Sequence, residues 1–179
     1  LFGKLEDLKE GDVLVLSGSI PASIEPDIYE RIMARLDGRG VRIAVDAEKD
    51  LLLNVLCYHP FLIKPNNHEL GQMFGVELEG EEEIAAYARR LQERGARNVL
   101  VSMAGDGALL VTEDVQVLRQ GVAGGVVKNS VGAGDSMVAG FLAGYLETGD
   151  YGYALKLGTA CGGATAFSDG IGTKDEIMR

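Results

Sequence analysis

An α/β fold, with a mainly parallel sheet in a three-layer αβα sandwich, is what this sequence predicts, and three observations carry the expectation. Short continuous apolar runs, such as Val13-Leu14-Val15-Leu16 and Asn98-Val99-Leu100-Val101, alternate with stretches whose apolar residues recur at helical spacing. Continuous runs of this kind suit strands covered on both faces, as in parallel sheets. Each run also stops at small or polar residues: Ser17-Gly18-Ser19, Asp46, Lys64-Pro65-Asn66 and Ser102. In open parallel sheets the chemistry sits beyond the carboxyl ends of the strands, where these residues would lie.

The elements follow in order. Residues 2–8 read as a short amphipathic helical piece, and residues 12–16 as the first strand. Helical periodicity through Ile28, Ile32, Met33 and Leu36 predicts a helix over 25–36, closed by Gly38 and Gly40. Residues 41–45 form a second strand, 51–56 a helix and 61–63 a third strand. A short helix is predicted over 66–74 and a longer one over 82–94, followed by a strand over 98–101. Residues 108–112 and 115–119 suggest a hairpin across Glu113-Asp114. The chain then predicts helices over 133–147 and 153–167.

Composition excludes several classes of function. The 179 residues are 46% hydrophobic and 25% charged, within the range of one globular domain, with no internal repeat or linker. A formal net charge of −10 without a clustered basic stripe argues against nucleic acid. No apolar run reaches membrane-spanning length and no leader pattern is visible, so a cytoplasmic enzyme-like domain is expected, without a membrane partner. Cys57 and Cys161 lack the spacing of a metal or disulfide pair and read as buried thiols. His59 and His68 lack metal-ligand or triad spacing and read as surface residues. The chain starts at Leu1 and runs directly into a helical piece, so a larger protein is expected around it.

The chemistry-bearing stretch is Asn129-Ser130-Val131-Gly132-Ala133-Gly134-Asp135-Ser136, followed by Met137, Val138, Phe141, Leu142, Tyr145 and Leu146 at helical spacing. Ser130 is the expected helix N-cap. Open N–H groups and the positive end of the helix dipole would then lie on the glycines, a site suited to phosphate. Asp135 adds a carboxylate within reach of the group that receives the phosphate. A tight connection alone would account for the glycines, and an acidic residue is favoured in a first turn anyway. The pattern is neither a Walker A loop, since Gly125-Val126-Val127-Lys128 lacks its lysine placement, nor a dinucleotide fingerprint, whose third glycine is Met137 here.

Two weaker constellations stand beside it. Asn66 and Glu69, three apart at a helix start, can form a capping box. They can equally serve a nucleotide site, with Lys64 and Asn66 facing phosphates and Glu69 supporting hydrated Mg²⁺. Ser102-Met103-Ala104-Gly105-Asp106-Gly107 is either a turn or a small-residue shelf for a nucleotide.

Together with Ser17-Gly18-Ser19-Ile20-Pro21, these motifs, in this order and spacing, resemble the ribokinase-like (PfkB) sugar kinase family over nearly the whole chain. Within it, the block from Ser130 to Gly140 is most similar to the 1-phosphofructokinase branch, with tagatose-6-phosphate kinase as near neighbour. The resemblance implies ATP-dependent phosphorylation of the C6 hydroxyl of fructose 1-phosphate. Asp135 would be the base, and the N–H groups of Gly132, Ala133 and Gly134 the anion hole. Ser102, Ala104, Gly105 and Gly107, with Gly134, would hold the nucleotide, Lys64 and Asn66 its phosphates, and Glu69 the Mg²⁺ region. Residues 159–163 would flank the adenine. Ala104 departs from the family's usual glycine. Residues 1–179 would be the C-terminal nucleotide-binding and catalytic portion of the kinase domain. The N-terminal part, with further strands, lid and much of the sugar-phosphate site, would be missing, so this piece alone is expected to be poorly active and a homodimer is expected only of the complete protein. An alternative of another class is a nucleotide-binding module without catalysis.

Overall fold

The structure is a computed structural model, and it describes residues 1–122 and 124–178. The chain divides into two compact units, Leu1–Val99 and Leu100–Arg179. Its strands form a mixed, mostly parallel six-stranded sheet in sequence order, β1 to β6, accompanied by helices.

The first unit opens with α1 (Phe2–Leu5) and continues through β1 (Val13–Ser17), α2 (Ile28–Leu36), β2 (Arg42–Asp46) and α3 (Lys49–Val55). A 3₁₀ turn, β3 (Leu62–Ile63), α4 (Asn67–Phe74), α5 (Glu81–Glu93) and the start of β4 (Asn98–Ser102) follow. β1, β2, β3 and β4 pair in parallel, with Ser17 opposite Asp46, Val45 opposite Ile63 and Ile63 opposite Val99. This register sets Ser17 and Asp46 side by side at the carboxyl ends of β1 and β2. The core is built by Met33, Leu52, Val55, Phe61, Ile63, Leu70 and Leu91, all at most 1% exposed. Each such side chain contributes roughly 1.5–3 kcal/mol of burial. Asn98 is buried with them, and its side chain donates to the carbonyl of Phe61 at 2.8 Å.

The second unit contains β5 (Ala108–Val111) antiparallel to β6 (Val117–Gln120), then α6 (Ala133–Thr148), α7 (Tyr151–Phe167) and α8 (Lys174–Ile177). α6 and α7 pack closely because small residues face each other. A Cβ at Gly158 would lie 2.8 Å from the Met137 carbonyl oxygen, and one at Gly140 would lie 2.6 Å from Cys161 Sγ.

Several boundaries differ from the sequence reading. α2 begins at Ile28 rather than Glu25, because Glu25 precedes Pro26 and is disfavoured in the helical region. Within residues 1–179, β1 is first in the strand order and Val15 is 44% exposed. The hairpin turn is longer than Glu113-Asp114. Thr112 donates its N–H to Gln116 O at 3.0 Å, and Val115, expected in the strand, has φ +62°. α8 was not foreseen, although Thr173-x-x-Glu176 spells a capping box and forms one. Cys57 is exposed rather than buried, and both cysteines are free. Both histidines are exposed, as expected.

Candidate active site

Within the second unit, the Asn129–Asp135 turn is built from its own polar groups. Asn129 Oδ1 accepts the N–H of Val131 at 3.0 Å, and Ser130 O accepts that of Ala133 at 3.2 Å. Ser130 is therefore not the N-cap. Gly132 takes that position, at φ +80°, a conformation glycine adopts without penalty. Its carbonyl accepts the N–H of Ser136 at 2.9 Å, which starts α6. The N–H groups of Gly132 and Gly134 take no backbone acceptor among the described residues, as the first turn of a helix requires, whereas Ala133 N–H is turned onto Ser130. Asp135 is exposed in the first turn of α6. Met137, Val138, Phe141 and Leu142 anchor the same helix in the core, while Leu146 faces solvent.

In the same unit, Ser102 closes β4, and residues Ala104–Asp106 make a 3₁₀ turn pinned by the N–H of Met103 on Gly107 O at 2.8 Å. Ala104, Gly105 and Asp106 are exposed, so the turn presents small groups and backbone to solvent. Ala104 has φ +48°, a backbone that favours the glycine it replaces in the resemblance. Gly107 has φ +91°, and a Cβ there would stand 2.1 Å from Gln120 O. Gly107→Ala is therefore expected to destabilise the protein by at least about 1–3 kcal/mol from the backbone alone. Thermal melting checks this, and an unchanged midpoint would contradict it.

Within the first unit, Lys64 is 6% exposed and its Nζ lies 3.2 Å from Asp46 Oδ1. Beside it, Asn66 and Glu69 form a complete capping box: Asn66 Oδ1 accepts the N–H of Glu69, and Glu69 Oε2 accepts that of Asn66, both at 2.8 Å. Asn66→Ala should cost about 1 kcal/mol of stability, read as a lowered melting midpoint; no change would mean that the cap is made elsewhere. Sequence reasoning passed over Tyr29, whose hydroxyl donates to the carbonyls of Ser17 (2.9 Å) and Gly18 (3.1 Å). Burial, and then the negative charge of Asp46, raise the ionisation of Tyr29 above its usual 10.0. The folded chain thus holds this proton more tightly, so the contribution is complete below pH 10.0 and is lost as the pH rises further. The only sequence signal for Tyr29 was its phase on α2, facing the sheet with Ile28, Ile32 and Met33.

Among the described residues no group of three or more His, Cys, Asp or Glu is placed to hold a metal, and no helix is long and apolar enough to cross a membrane. Glu69 nevertheless fits the edge of a water-rich Mg²⁺ site. One carboxylate oxygen serves the cap, which leaves the other for a metal-bound water.

The profile of the pfkB family carbohydrate kinases matches residues 3–177. A 1-phosphofructokinase of Bacillus subtilis is 46% identical over 176 residues, covering 98% of this chain and 58% of that protein. A D-tagatose-1-phosphate kinase of Bacillus licheniformis is 37% identical, covering 99% and 58%. A solved structure from Staphylococcus aureus superposes with a TM-score of 0.94 at 37% identity, over 99% of this chain and 58% of that one. The chain thus spans less than two thirds of the length of the relatives it matches.

Proposed function

The chain belongs to the pfkB carbohydrate kinase family, and on that premise we propose that it supplies the nucleotide-binding and catalytic part of an ATP-dependent phosphosugar kinase acting on the C6 hydroxyl of fructose 1-phosphate. The observation that carries this reading is the open first turn of α6, with N–H groups at Gly132 and Gly134 and a carboxylate at Asp135. The similarity to a 1-phosphofructokinase supports the choice of sugar.

Phosphoryl transfer depends mainly on positioning and on stabilising charge that develops on the moving group. Asp135 takes the proton of the acceptor hydroxyl as its oxygen attacks the γ-phosphorus of ATP and the bond from that phosphorus to the β,γ-bridging oxygen breaks, releasing ADP. The backbone N–H groups of residues 132–134 face the charge that builds on the transferred group, aided by the positive end of α6. This requires Ala133 N–H to leave Ser130 O when the anion arrives. The turn of Ser102, Ala104, Gly105 and Gly107 lets a nucleotide approach the backbone closely. By the family resemblance, Asn66 and Lys64 would serve the nucleotide phosphates and Glu69 would hold a water of the Mg²⁺ shell. Mg²⁺, when bound, neutralises charge on the β- and γ-phosphate oxygens.

A second reading, tagatose 1-phosphate as the acceptor, is favoured by the similarity to a D-tagatose-1-phosphate kinase. Both sugars offer a C6 hydroxyl on a ketose 1-phosphate, so the chemistry at Asp135 is the same. The test follows ADP release by the full-length protein with Mg²⁺, ATP and fructose 1-phosphate, tagatose 1-phosphate, tagatose 6-phosphate or fructose 6-phosphate. The highest kcat/KM should belong to fructose 1-phosphate. Preference for tagatose 1-phosphate would select the second reading, and preference for a 6-phosphate would overturn both. ATP binding without any acceptor-dependent ADP would favour a binding module.

A further inference from the structure

We propose that Thr165, near the end of α7, is a positioning residue for the catalytic turn, acting through Ser136. The inference rests on the reading of Asp135 as the base. Thr165 is 1% exposed. Its hydroxyl donates to Ser136 Oγ at 2.9 Å and accepts the N–H of Gly172 at 3.0 Å. Ser136 follows Asp135 directly, and its own N–H closes the first turn of α6 on Gly132 O at 2.9 Å.

The neighbouring residue holds the other side of the same turn. Ala166 O accepts the N–H groups of Lys128 at 2.9 Å and Asn129 at 3.2 Å, where the chain enters it. Two consecutive residues of α7 therefore grip the turn from both ends, Ala166 where it begins and Thr165 where it passes into α6. One helical turn earlier on α7, Gly162 leaves space for the backbone of the turn, since a Cβ there would lie 3.1 Å from Ala133 O.

The use of the Thr165 hydroxyl is not what its helical position would give by default. A threonine inside a helix commonly bonds the carbonyl four residues back. Thr148 does so on Gly144 O and Thr159 on Leu155 O, both at 2.8 Å. Thr165 instead directs its hydroxyl across to α6, and no such bond to Cys161 O accompanies it among the described residues. A hydroxyl 1% exposed and directed out of its own helix constrains its partner, because the buried Thr165 needs that partner to satisfy its hydrogen-bonding capacity. Displacement of a reacting group by about 1 Å can cost roughly 10²-fold in rate, so a tether one residue from the base affects turnover more than binding.

Kinetics of four forms of the full-length protein test this: Thr165→Val, Thr165→Ser, Ser136→Ala and the Thr165→Val/Ser136→Ala double variant, with Asp135→Asn alongside. Thr165→Val and Ser136→Ala should each lower kcat by roughly 10–10², with little change in the KM for ATP, and the double variant should fall no further than the worse single variant. Thr165→Ser, which keeps the hydroxyl, should restore kcat. Unchanged kcat in Ser136→Ala would overturn the tether, and that readout stands even if Thr165→Val fails to fold; losses that multiply in a folded double variant would overturn it as well. Full activity in Asp135→Asn would instead overturn the assignment of the base. The two failures are thereby separable.

Discussion

Asp135→Asn in the full-length protein should lower sugar-dependent turnover by about 10²–10⁴-fold, the usual contribution of a positioned general base. ATP binding should survive. The amide keeps the size and first-turn position of the carboxylate, so the N–H groups of the turn and the start of α6 are preserved. It cannot take the hydroxyl proton. The variant should also lose the modest electrostatic benefit of an acid near a helix N-terminus, about 0.3–1 kcal/mol. Steady-state kinetics with calorimetric ATP binding separate the two effects. Turnover at the parent rate would remove Asp135 from the mechanism, whereas joint loss of turnover and ATP binding would make it a structural or nucleotide-holding residue.

Lys64→Met should destabilise the protein by about 3 kcal/mol, at the low end of the range for breaking a buried ion pair. Lys64 and Asp46 side chains are 7% and 20% exposed, so the carboxylate that loses this cation keeps a little access to water. For a domain of this size that loss corresponds to a melting midpoint lower by roughly 6–12 °C. Lys64→Met/Asp46→Leu should recover most of it, since an apolar pair of similar volume often replaces a buried ion pair without loss. If Lys64 serves only the nucleotide phosphates, the single variant will melt like the parent and change only the KM for ATP. The 3.2 Å ion pair between Lys64 and Asp46 favours the structural effect as the larger one.

How far the sequence could be read depends on how local each signal was. β2 and β4 were legible because their apolar runs are continuous and are buried in the structure. The cap of α4 was legible because Asn66 and Glu69 lie within one turn of each other. The Gly132-Ala133-Gly134-Asp135 turn could be placed at a helix start for the same reason. Its cap could not. Ser130 has the side chain of a good cap, but Gly132 can take φ +80°, which moves the helix start two residues onward. Long-range pairings were out of reach. Lys64 reads as a phosphate ligand, and only the register of β2 and β3 shows that it also pairs with Asp46. Tyr29 looks like one more apolar position of α2 until its hydroxyl meets the end of β1. Thr165 is similar: spacing along α7 suggests a bond within its own helix, and only the close packing of α6 and α7 directs it to Ser136.

The central claim is that the Asp135 turn transfers a phosphoryl group to the C6 oxygen of a ketose 1-phosphate. The most direct test is to incubate the full-length protein with ATP, Mg²⁺ and fructose 1-phosphate and locate the new phosphate by phosphorus–carbon coupling in the NMR spectrum of the product. Coupling at C6 is expected, with the phosphate at C1 retained and the signal absent in Asp135→Asn. A new phosphate on any other carbon, or ATP consumed with no phosphorylated product beyond the starting sugar phosphate, would contradict it.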